Sequence, residues 1–83
     1  MKNRDNIEIY MSILKSIKNG KHSSTHILYG SGINYMQLRE RLSRLVELGF
    51  VSNDEDTYDI TEKGLHILNH YEPFAELFKE LSE

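Results

Sequence analysis

The stretch NYMQLRERLSRLVELGFV, residues 34–51, decides the fold. Leu38, Leu42, Leu45 and Val46 recur at helical spacing and make one apolar stripe, with Tyr35 at its edge. Asn34 is a good N-cap, and Gln37 three positions on completes the pattern of a capping box. Leu48-Gly49 ends the helix, since glycine accepts the left-handed conformation that follows a helix terminus. The spacing therefore predicts a helix over 34–48 with one buried and one polar side. Met36, Gln37, Glu40, Ser43, Arg44 and Glu47 lie on the polar side, and Arg39 and Arg41 flank the stripe.

Downstream, Phe50-Val51-Ser52-Asn53 and Thr57-Tyr58-Asp59-Ile60 enclose the acidic turn Asp54-Glu55-Asp56 and read as a β-hairpin. Thr61 caps a helix from Glu62 to about His70, and Pro73 suits the first turn of a further helix reaching about Leu81. Upstream, Gly30-Ser31-Gly32 breaks the chain after a short helix over 24–29, for which Ser23 or Ser24 is the N-cap. A first helix runs from about Arg4 to Lys18 and stops at Asn19-Gly20. Ile7, Tyr10, Met11, Leu14 and Ile17 form its main stripe, and Ile9 and Ile13 lie off it. This helix is apolar on two faces, so one meets the core and the other needs a second cover.

The order is helix, helix, glycine-bearing turn, helix, hairpin, helix. The fold class is mainly α with a small β-hairpin wing, the arrangement of a winged helix-turn-helix with a C-terminal helix. Residues 1–70 are expected to form that domain, and residues 71–83 a C-terminal helix used for dimerisation.

The chain has 83 residues and no cysteine. It is one small domain with neither disulfide nor thiolate metal site. Nothing near Met1 resembles a signal peptide, and no apolar run reaches membrane-spanning length, so a cytoplasmic protein without membrane contact is expected. The net charge of −3 conceals a polarity. Residues 1–49 carry eight basic and four acidic groups, a net +4, and residues 50–83 carry two basic and nine acidic groups, a net −7. A polyanionic partner responds to the local field, not to the total. No nucleophile–base pairing, phosphate loop or paired-carboxylate spacing stands out, so no catalysis and no cofactor are expected. His66 and His70 are four apart, with Glu62 extending the row, which is half a zinc site by spacing. With no clear further ligand, surface histidines are the simpler expectation.

Four segments carry a family resemblance. They are residues 25–29 (THILY), 34–38 (NYMQL), 45–51 (LVELGFV) and 58–64 (YDITEKG). In that order the chain resembles the small archaeal winged-helix regulators and chromatin-associated proteins, over about residues 5–70. The resemblance implies binding to double-stranded DNA, often as a homodimer through the C-terminal helix.

On that reading Tyr35, Met36, Gln37 and Glu40 face bases, and Arg41 and Arg44 reach guanine or phosphate. Lys21, Ser24 and Thr25 are placed to hold phosphate at the start of the second helix. A dimer contact is expected between the tail stripe Phe74, Leu77, Phe78 and Leu81 and the second face of the first helix, Ile9 and Ile13. The acidic hairpin tip, which phosphate would repel, leaves a protein partner open as the alternative, alongside a low-specificity nucleoid protein.

Overall fold

The computed structural model describes residues 6–82, without the side chains of residues 75, 78, 79 and 82. The order is α1 (Asn6–Lys18), α2 (Ser24–Tyr29), α3 (Tyr35–Glu47), β1 (Val51–Asp54), β2 (Thr57–Ile60) and α4 (Glu62–Ser82). Strands β1 and β2 pair antiparallel, with Val51 opposite Ile60 and Asp54 opposite Thr57. Ser23 adds a single bridge to Thr57, so the segment before α2 lies beside the hairpin as a vestigial third strand.

The core consists of Ile9, Ile13, Leu14 and Ile17 from α1, Ile27 from α2, and Leu38, Leu42 and Leu45 from α3. Val51 from β1 and Leu68 from α4 complete it. Helix α1 is the hub, packed against α2, α4 and β2. This corrects one expectation. Ile9 is 8% and Ile13 0% exposed, so neither is available to a second copy. The second apolar face of α1 is covered by elements of the same chain, and among the large apolar side chains of that helix the exposed one is Ile7.

The ends of α3 follow its sequence. Asn34 Oδ1 accepts from the amide of Gln37 at 2.8 Å, and the Gln37 side chain accepts from the amide of Asn34 at 3.2 Å. At the other end the amides of Gly49 and Phe50 donate to the carbonyls of Val46 and Leu45, with Gly49 at φ +87°. That pairing is a Schellman motif, which requires the left-handed residue glycine supplies. Val46 lies at the margin of the stripe and remains partly exposed.

Helix α4 departs from expectation. It runs unbroken for 21 residues with Pro73 inside, so residues 71–82 are not a separate helix. A proline in a helix interior removes one backbone hydrogen bond and costs about 3 kcal/mol. The helix persists because its first half is docked: Leu68 enters the core, and Glu72 pairs with Lys15 of α1 at 3.6 Å. The second half leaves the body, with Phe74 59% and Leu81 73% exposed.

The start of α4 is fastened to the turn after α3. The Thr61 hydroxyl donates to the Gly49 carbonyl at 2.7 Å and accepts from the amide of Gly64 at 3.1 Å. Lys63 donates to the Leu48 carbonyl at 2.7 Å, with its ammonium 4.7 Å from the centre of the Phe50 ring. Gly64 is buried so closely that a Cβ there would stand 2.2 Å from the Phe50 carbonyl oxygen and 2.8 Å from Ile60 Cγ1. No backbone atom can yield that distance locally. We expect Gly64→Ala to lower unfolding stability by about 2–4 kcal/mol, read from the urea midpoint; a loss below about 0.5 kcal/mol would contradict this packing.

The hairpin tip carries strain of another kind. Glu55 sits at φ +56°, a region that L residues enter at a cost of about 1 kcal/mol and glycine enters freely. Asn53 holds the turn by donating to the carbonyls of Glu55 and Thr57. Glu55→Gly should therefore raise stability by about 0.5–1 kcal/mol, seen as a melting temperature a few degrees higher.

Candidate nucleic-acid interface

The buried stripe Leu38-Leu42-Leu45 turns the other side of α3 to solvent. Tyr35, Met36, Gln37, Glu40 and Arg44 are all exposed there, Met36 at 78%. An apolar side chain so open at the start of a helix has no packing role in the free domain. Arg39 is exposed as well, its guanidinium carbon over the Tyr35 ring at 6.0 Å from the centre, the outer limit of a cation–π contact. The outer face thus carries Arg39 and Arg44 against Glu40 and Glu47 and is close to neutral.

Two of the expected contact residues have prior commitments. Gln37 closes the capping box through its side-chain oxygen, which leaves its NH2 group for a partner. Bidentate pairing with adenine uses both amide atoms, so it would require opening the cap. Arg41 is the correction. It is half-buried, its guanidinium donates to Asn6 Oδ1 at 2.7 Å, and it lies 5.6 Å from the centre of the Tyr10 ring. Its Nε is buried without a hydrogen-bond partner. Arg41 therefore ties α3 to α1 and does not stand on the outer face. In the sequence it flanks the stripe as Arg39 does; only the position of α1 distinguishes them.

The start of α2 is fixed from below. Ser23 is the N-cap, its hydroxyl accepting from the amide of His26 at 3.2 Å. Ser24 is half-buried, and Lys21 and Thr25 are exposed. Beside them the carbonyl of His22 accepts from the amide of Tyr58 at 2.8 Å. The His22 ring nitrogen Nδ1 lies 2.8 Å from the Tyr58 carbonyl and 3.1 Å from Asp59 Oδ1. His22 is thus the clamp between the segment before α2 and the wing. Sequence reading missed this role, because nothing in a lone histidine after a lysine announces strand pairing across 36 residues.

Among the remaining expected residues, Phe74, Leu77 and Leu81 are exposed on the projecting half of α4, while the side chain of Phe78 lies outside the described residues. The wing tip Asp54, Glu55 and Asp56 is exposed. Among the described residues no helix is long and apolar enough to cross a membrane.

Comparison with known proteins follows the same outline. A family model described as winged helix-turn-helix matches residues 3–79. An uncharacterized protein of Methanocaldococcus jannaschii is 30% identical over 69 residues, covering 83% of this chain. The chain spans only 33% of that relative's length. Among solved structures, Sso10a-2, a DNA-binding protein from Sulfolobus solfataricus, superposes with a TM-score of 0.78 at 34% identity. That match covers 95% of this chain and 86% of the other. BpsR of Bordetella bronchiseptica, whose DNA binding is regulated by 6-hydroxynicotinic acid, gives a TM-score of 0.80 at 17% identity, covering 87% and 57%; this is a likeness of fold. With the helix order, the paired wing and its fastening to α4 all in place, the chain belongs to the winged helix-turn-helix family.

Proposed function

We propose that this domain binds double-stranded DNA with α3 in the major groove and regulates transcription as a homodimer, without catalysis. The observation that carries the reading is the solvent-facing first half of α3, where Tyr35, Met36, Gln37 and Glu40 stand clear of the core. A recognition helix reads base edges from that half. Met36 offers apolar contact to a thymine methyl group, the free NH2 of Gln37 donates to an acceptor, and Glu40 accepts from cytosine N4. Arg44 meets guanine or phosphate from the next turns, and Lys21, Ser24 and Thr25 contact the backbone. The 34% identity to a DNA-binding protein over 95% of the chain supports the same reading.

The homodimer rests on the projecting half of α4. Phe74, Leu77 and Leu81 repeat at helical spacing and are exposed in the single chain, a stripe that a second copy would cover by two-fold symmetry. Ile9 and Ile13 have no part in it.

One observation favours another reading. The exposed acids Asp54, Glu55 and Asp56 occupy the hairpin tip, and carboxylates there repel phosphate. A non-catalytic module docking a basic protein surface is the alternative. Weak, sequence-independent binding is the intermediate case, that of a nucleoid protein.

Fluorescence anisotropy on random duplex DNA across a salt series separates these. We expect binding at low salt whose logarithm falls with log salt at about −0.9 per phosphate contacted. Arg44→Glu should weaken every duplex alike and flatten the slope by about one. Arg41→Met, which keeps the packing on Tyr10, should leave DNA affinity within about twofold. No binding to any duplex at low salt, or affinity that ignores salt, would sink the DNA reading.

A further inference from the structure

His66 and His70 are used neither by the core nor by the outer face of α3. They stand one turn apart on the exposed side of α4, their ring centroids 4.3 Å apart and their planes tilted by 42°. Nδ1 of His70 lies 2.9 Å from the backbone carbonyl oxygen of His66. A carbonyl oxygen only accepts, so Nδ1 is the donor and holds the proton. In the neutral ring the lone pair is then on Nε2, at the solvent end of the side chain.

This is how a metal-binding histidine is held: one ring N–H anchored on a backbone carbonyl, the other nitrogen free for the ion. Two imidazole nitrogens at about 2.0–2.1 Å from one tetrahedral ion place their ring centres about 5 Å apart. Residues four apart on a helix share one face, and the two ring centroids at 4.3 Å already stand within about 1 Å of that spacing. The nearest cation on the preceding turn, Lys63, has its ammonium turned away to the Leu48 carbonyl and the Phe50 ring.

We propose that His66 and His70 together chelate one divalent transition-metal ion, of the zinc, nickel or copper(II) class that imidazole suits, on the outer face of α4. Among the described residues no third histidine or carboxylate gathers with them. Glu62 therefore does not close the site, and the ion keeps positions open to water, unlike a four-ligand structural site. The chelate closes one helical turn between Leu65, half-buried, and the projecting half of α4. Binding thus stabilises the folded chain by mass action.

The test uses the full chain without an affinity tag, titrated with zinc chloride by calorimetry and by thermal melting. We expect no more than one ion per chain, and a melting temperature that rises with zinc. His66→Ala and His70→Ala should each weaken binding at least tenfold and remove the thermal shift, while His26→Ala leaves both unchanged. His70→Gln is the second variant at that position, and far-UV circular dichroism without metal should match the parent chain for all variants. Zinc binding that survives loss of both histidines, or the lack of heat and thermal shift at millimolar zinc, overturns the proposal.

Discussion

Gly64 meets the Phe50 carbonyl at a distance that leaves no room for a side chain, and the wing, the end of α3 and the start of α4 all converge on that contact. The amide of Thr61 donates to the Phe50 carbonyl, and the Thr61 hydroxyl bridges the Gly49 carbonyl and the Gly64 amide. The Gly64 amide, an orphan donor in the first turn of α4, and the Gly49 and Phe50 carbonyls just past the end of α3 are all satisfied within a few ångströms. Because β1 leaves directly from this knot and β2 returns to it, the hairpin direction relative to α3 is set here. A larger residue at position 64 would push α4 off the hairpin and take Leu68 from the core with it.

That geometry explains why the conspicuous words in the sequence are LGFV and ITEKG. Gly49 is needed for its left-handed backbone and Gly64 for its missing Cβ. Thr61 is needed for a hydroxyl that both donates and accepts, and Lys63 for a stem long enough to reach the Leu48 carbonyl. These are local demands, so they leave local marks. Helix α3 was legible for the same reason: its stripe, cap and stop all lie within 18 residues. What could not be read was non-local. Ile9 and Ile13 look like a spare face until α1 is seen as the hub. Arg41 matches Arg39 in pattern and differs only because Asn6 and Tyr10 stand beside it. Pro73 reads as a helix start by local rules, and a helix passes through it because the preceding turns are anchored on α1. His22 pairs with a strand that begins 35 positions later.

The arrangement of charge sets what the proposed DNA contact has to overcome. On the outer face of α3 two arginines are balanced by two glutamates, and the wing tip adds three exposed acids. Lys18 and Lys21, at the end of α1 and in the turn after it, are exposed, whereas Lys15 is paired with Glu72. A single protomer can therefore neutralise only a few phosphates. Since the electrostatic part of affinity scales with that number, one copy would hold DNA weakly at physiological salt.

Two copies change this balance without any new contact per copy. Once one protomer is bound, the second binds at an effective concentration fixed by the connection between them. The charge cost at each wing is unchanged, but the phosphate contacts double and the salt slope doubles with them. The apolar stripe on the projecting half of α4 lies beyond the docked turns that end near Glu72, so covering it would leave α3 free on each copy. On the proposed reading, the exposed stripe and the near-neutral recognition surface belong together: a domain whose own field is too weak to hold DNA alone carries, on the helix that the Gly64 contact sets in place, the means to double it.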